Sequence, residues 1–125
     1  MNITTFNPQI LSNDAKALIE VFEALGFKQN HDKTDIGELK VEGLRMKDAN
    51  GFALDISVPE LPLANDMMAI RMNVDDFDEA YRILTDHGFK NFYGDKTVHT
   101  ESSVSAFLIS ESGFGINLVE HTRKK

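Results

Sequence analysis

The sequence predicts an α+β fold built as two tandem βαβββ modules within a single domain of 125 residues. Three observations carry that expectation. The chain repeats itself at a constant offset, both halves run through the same order of strand and helix periodicities, and one proline-rich stretch lies between them. Shifting the chain by 62 residues lays Asp14 on Asp76, Gly26-Phe27-Lys28 on Gly88-Phe89-Lys90, and Gly51-Phe52 on Gly113-Phe114. A single three-residue match is weak. Matches held in one register over some 40 residues are a repeat.

Residues 2–11 read as a strand, and Ser12 or Asn13 can cap the helix that follows. Ala15, Leu18, Ile19, Phe22 and Leu25 form an apolar stripe of helical period, and Gly26 stops it as the residue after the C-cap. Strands are then expected near 27–35, 39–48 and 52–58, with Asn50-Gly51 as the turn before the last. Pro59 to Asn65 lies in a linker placed at 59–66, separating module one (1–58) from module two (67–121), with a basic tail at 122–125. In the second half Met68, Ile70, Met72 and Val74 alternate with Ala69, Arg71 and Asn73, the period of a half-buried strand. Asp76 and Glu79 have the spacing of a capping box, Phe77, Ala80, Tyr81 and Leu84 make the stripe, and Gly88 ends the helix. Strands at 89–98, 103–110 and 114–120 complete the module, with Ser112-Gly113 as their last turn. One helix covers one face of a four-stranded sheet, so the expected architecture is two curled mixed sheets with helices outside and a cleft within.

Composition narrows the function. A hydrophobic content of 42% can fill a core, and a net charge of −7 is a poor surface for phosphate backbones, which argues against nucleic acid. No apolar run approaches the ~20 residues of a membrane span. The start, MNITTFNPQ, has neither a basic nor an apolar signal region, so a cytoplasmic location is expected. With no cysteine there is no disulfide, thiolate ligand or thiol nucleophile. No Ser-His-Asp order, phosphate-cradling glycine loop or helical histidine pair is present.

Strand alternation sorts the candidate ligand-binding residues. If Leu54, Ile56, Ile116 and Leu118 pack on the helices, then Ala53, Asp55 and Ser57, with Gly115, Asn117 and Val119, face the cleft. By the same rule Asn7 and Gln9 face in, as do Ala69, Arg71 and Asn73, and in the next-to-last strand Ser103, Ser105 and Phe107. Arg71 and Asp55 have two readings, an ion pair closing an empty pocket or a guanidinium that holds a ligand carboxylate or phosphate. The acids Asp75, Asp76, Asp78 and Glu79 suit a helix N-terminus, and Met67, Met68 and Met72 suit core or interface filling. His31, His87, His99 and His121 are read as structural or surface residues, none paired at ligand spacing.

With these residues in place the chain resembles the vicinal-oxygen-chelate superfamily, which includes glyoxalases, extradiol dioxygenases and bleomycin-resistance proteins. The carriers are the paired modules, Asp14 with Leu25-Gly26-Phe27, Asp76 with His87-Gly88-Phe89, and the run from Gly51 to Asp55 that opens a last strand. The resemblance implies two sheets around a cleft, often in a homodimer. It also implies metal-ligand positions at Asn7, Asp55, Ala69 and Asn117, where metal-binding members carry histidines and acids. One carboxylate, two amides and a methyl are a poor set for a dehydrated divalent ion, and Arg71 stands two residues from Ala69. The expectation is therefore a metal-free, cofactor-free small-molecule-binding protein, leaning away from an enzyme. The alternatives are a metal-dependent lyase, isomerase or dioxygenase with shifted ligands, and a dimeric structural or regulatory module with an empty cleft. Cues to the ligand conflict, since the net charge favours a cation and Arg71 favours an anion.

Overall fold

A computed structural model describes residues 1–30, 42–59 and 63–122. Beyond these lie His31, the second part of the strand expected at 27–35, the start of that at 39–48, residues 60–62 of the linker and most of the basic tail. The elements are β1 (Ile3–Leu11), α1 (Ala15–Ala24), β2 (Lys28–Asn30), β3 (Glu42–Lys47), β4 (Ala53–Val58), β5 (Met67–Val74), α2 (Phe77–Asp86), β6 (Lys90–Asn91), β7 (Val98–His99), β8 (Ser103–Ile109) and β9 (Gly115–His121). The fold is α+β with mixed strand pairing. Contacts divide it into two compact units, Asn7–Met68 and Met1–Phe6 with Ala69–Lys125.

In the first of these units the strand order is β2-β3-β4-β1. β1 runs parallel to β4, with Gln9 opposite Asp55, and β3 runs antiparallel to it, with Arg45 opposite Asp55. Met46, Leu54 and Ile56 form the buried cluster, with Leu18, Ile19 and Phe22 of α1 packed on it. Leu25, expected in that stripe, is the helix C-cap and is 67% exposed. The N-cap also differs from expectation. Asp14 accepts the Ala17 N–H, because Ser12 Oγ accepts the Asp14 N–H and Asn13 is spent on both backbone groups of Leu63 at 2.7 and 3.0 Å.

In the other unit the order is β5-β9-β8-β6, with β7 also on β8. Met72, Val74, Phe77, Ala80, Ala106, Leu108, Ile116 and Leu118 form its core, and Tyr81 and Leu84 of α2 pack on it as the stripe predicts. Asp76 caps α2 by accepting the Glu79 N–H. Glu79 meets the Met1 ammonium at 3.2 Å, and the Phe77 N–H is held by Glu120 Oε1 at 2.7 Å, a cap from the far end of the unit. His87 sits at the end of α2 with Nδ1 2.7 Å from the Ile83 carbonyl oxygen, which accords with its structural reading.

Both helices end the same way. Phe27 donates to Phe22 and Phe89 to Leu84, across Gly26 and Gly88 at φ +107° and +94°. That six-to-one bond needs a left-handed residue, which explains why Gly-Phe recurs in register. The strand expected at 89–98 does not run through. It is broken into β6 and β7 because Asn91 captures the backbone beyond it, Oδ1 accepting from Tyr93 and Nδ2 donating to Lys96.

Candidate functional site: the helix-free sheet faces

In the Asn7–Met68 unit, alternation along β1 and β4 turns Asn7, Gln9, Asp55 and Ser57 away from α1 and the cluster it covers. The structure brings all four together. Gln9, Asp55 and Ser57 are 3%, 4% and 2% exposed. Asp55 Oδ1 accepts from Arg45 Nε at 3.1 Å, and Oδ2 accepts from Asn7 Nδ2 at 3.3 Å. Gln9 Nε2 donates to Ser57 Oγ at 2.8 Å. Gln9 Oε1 has no hydrogen-bond partner among the described residues. Flipping the amide would move the orphan to nitrogen rather than remove it, because Ser57 can satisfy only one end. An unmatched buried acceptor costs about 1–3 kcal/mol unless something else donates to it.

In the other unit Ala69, Arg71, Asn73, Ser105, Phe107 and Asn117 share the face opposite α2, as the alternation predicts. Phe107, Asn117 and Arg71 are register partners across β8, β9 and β5, so they form one row. Arg71 Nε donates to Asn73 Oδ1 at 3.1 Å, with Asn73 6% exposed. Phe107 lies over Gly115. A β-carbon there would come within 2.6 Å of its ring and 3.3 Å of the Ala69 methyl. Phe92 meets the same ring edge-on at 5.7 Å between centroids.

Two contributors were missed from sequence, Arg45 and Phe92. Arg45 was legible, since it alternates with Leu44 and Met46 on a strand the pattern had placed. Phe92 had no signal, because it follows the break in its strand.

The four positions where the resemblance implies metal ligands do not fit a divalent ion. Asp55 supplies the one carboxylate, and both of its oxygens accept from donors, one of them a guanidinium. Position 69 is a buried methyl opposite Gly115, and Asn117 stands opposite Arg71 in register. A fixed cation on each face opposes a second one.

Comparison with solved structures bears on the fold. Methylmalonyl-CoA epimerase from Mycobacterium tuberculosis superposes with a TM-score of 0.67 at 17% identity, covering 97% of this chain and 90% of that one. A glyoxalase/bleomycin resistance protein/dioxygenase superfamily member from Vibrio splendidus gives 0.61 at 13% identity, covering 95% and 99%. The chain has the vicinal-oxygen-chelate fold. Another protein similar to it at this level is the Streptomyces coelicolor methylmalonyl-CoA epimerase in complex with 2-nitronate-propionyl-CoA, with TM-score 0.65, 20% identity and coverage of 98% and 100%. No family model matches the sequence, and no curated protein matches it. At these identities the likeness establishes the vicinal-oxygen-chelate fold, while the site rests on this chain's own residues.

Proposed function

We propose that the chain is a metal-free small-molecule-binding protein of the glyoxalase/bleomycin-resistance type, receiving its ligand on the helix-free faces of its sheets. The observation that carries this reading is Gln9 Oε1, a buried acceptor without a partner among the described residues, set within a polar layer of Asn7, Arg45, Asp55 and Ser57. A ligand donor at Gln9 completes that layer. On the other unit the row Phe107–Asn117–Arg71 suits a planar apolar group at one end and an anionic group at the other. The S. coelicolor epimerase, bound to a CoA derivative, supports the fold's capacity for a small organic ligand.

A thermal-shift screen of small acids and cationic compounds finds the ligand, since preferential binding to the native state raises stability. Gln9→Met should then weaken the best hit by about tenfold or more, while exchanging the orphaned Gln9 Oε1 for an orphaned Ser57 Oγ, so that stability stays near that of wild type. Unchanged affinity in a folded variant would remove the main support for the proposal. By titration calorimetry Zn²⁺, Ni²⁺ or Mn²⁺ should bind no better than millimolar. Micromolar, stoichiometric binding would transfer the reading to a metal-dependent lyase, isomerase or dioxygenase.

A further inference from the structure

A separate groove, open to solvent and with a volume of about 760 Å³, lies on the α2 side of the unit that contains β5–β9. That falls within the roughly 300–1,000 Å³ usual for small-molecule sites. Asp78, Arg82 and Thr85 line one wall at successive turns of α2. The facing wall is the segment left irregular by the break between β6 and β7, which contributes Asp95 and Thr97, together with His99 of β7. Glu120, at the end of β9, closes one end.

The chemistry of these walls is particular. Three carboxylates, Asp78, Asp95 and Glu120, face one guanidinium, Arg82, so the groove is locally negative. Thr85 Oγ1 donates to the backbone of α2, and Thr97 Oγ1 lies 2.9 Å from His99 Nε2. A hydroxyl has two acceptor lone pairs beyond its one donor, so each can still take a hydrogen bond from a ligand. Phe77 and Tyr81, with ring centroids 5.6 Å apart, add an aromatic patch to the lining. The module repeat does not carry this set. At the offset of 62, Arg82, Thr85, His99 and Glu120 correspond to Glu20, Glu23, Gly37 and Val58. The groove is therefore an addition of the second half rather than a consequence of the fold.

We infer that this groove is a second ligand site, one that takes an amino sugar. The ammonium faces Asp78, Asp95 and Glu120, the ring hydroxyls bond Thr85, Thr97 and Arg82, and the apolar face of the sugar ring lies toward Tyr81. Acids alone would suit any cation. The hydroxyls and the aromatic patch select a hydroxylated ring.

Titration of the full ¹⁵N-labelled chain with glucosamine, N-acetylglucosamine and glucuronate, followed by NMR, tests the assignment. Glucosamine should shift amides within 78–85 and 95–100 saturably. N-acetylglucosamine, which lacks the charge, should bind about tenfold more weakly or worse, as should glucosamine to the Asp78→Asn/Asp95→Asn variant. Both positions are exposed, so the single variants serve if the double one does not fold. Glucuronate binding as well as glucosamine, or no saturable shift in those two stretches, overturns the inference. Neither result bears on Gln9, which lies in the other unit, so this site and the proposed function stand or fall separately.

Discussion

Asp55 keeps a carboxylate at 4% exposure because its two oxygens meet Arg45 and Asn7. Removing the cation strands the charge. Arg45→Met should therefore destabilise by about 2–3 kcal/mol in urea unfolding, below the range for a fully buried pair because the Arg45 side chain is 26% exposed. Adding Asp55→Leu should recover most of that loss. A double variant no better than the single one would show that Asp55 is held by something other than Arg45. Asp75 gives the pH dependence. The Asn2 N–H at 2.6 Å, helped by the Asn2 side-chain amide, holds its carboxyl below the ordinary value of 3.8. A lowered folded value means that its contribution is complete above the unfolded value and disappears as pH falls through the folded one. Asp75→Asn should thus lower stability modestly at neutral pH and flatten the acid limb below about pH 4, so that the two curves converge in acid. An acid limb as steep as that of wild type would argue against the contact.

At the level of elements, the turn of β9 against β8 and β5 has one position where a side chain cannot fit. Gly115→Ala would set a methyl 2.6 Å from the Phe107 ring. The expected cost is about 1–3 kcal/mol for overpacking. Phe107→Leu in the same chain should relieve it, and the coupling between the two substitutions should exceed about 0.5 kcal/mol in a double-mutant cycle. Additive effects would mean that the ring moves aside freely. The helices differ in their starts more than in their ends. Both stop on the same Gly-Phe bond geometry, whereas α2 alone has its first N–H held from β9 by Glu120. That brace ties the lining of the α2 groove to the helix that forms its wall.

For the molecule as a whole, we propose a homodimer, motivated by the fold and by the short strands β2 and β6, each with one strand partner among the described residues. Light scattering at micromolar concentration should return twice the 14.0 kDa of one chain. A value near 14.0 kDa at all concentrations would rule out a stable dimer. Among the described residues no helix is long and apolar enough to cross a membrane.

The order of elements, the helix stops and the sorting of strand faces were determined by the sequence alone, because hydrophobic periodicity is local and sets which side of an element meets the core. Leu54, Ile56, Ile116 and Leu118 pack toward the helices, and the candidate residues between them turn away, as that periodicity requires. The partners of those residues were decided by tertiary structure. Register and rotamer placed Arg45 rather than a more distant cation on Asp55, tied Gln9 to Ser57 and left Oε1 over. The cap of α1 passed from Ser12 and Asn13 to Asp14 because Leu63, fifty residues from Asn13, claimed the Asn13 amide. The break at Asn91 likewise depends on a side chain outcompeting a ladder, a contest that periodicity does not register. The groove along α2 exists only where that broken segment faces the helix, so no stretch of sequence read by itself contains it.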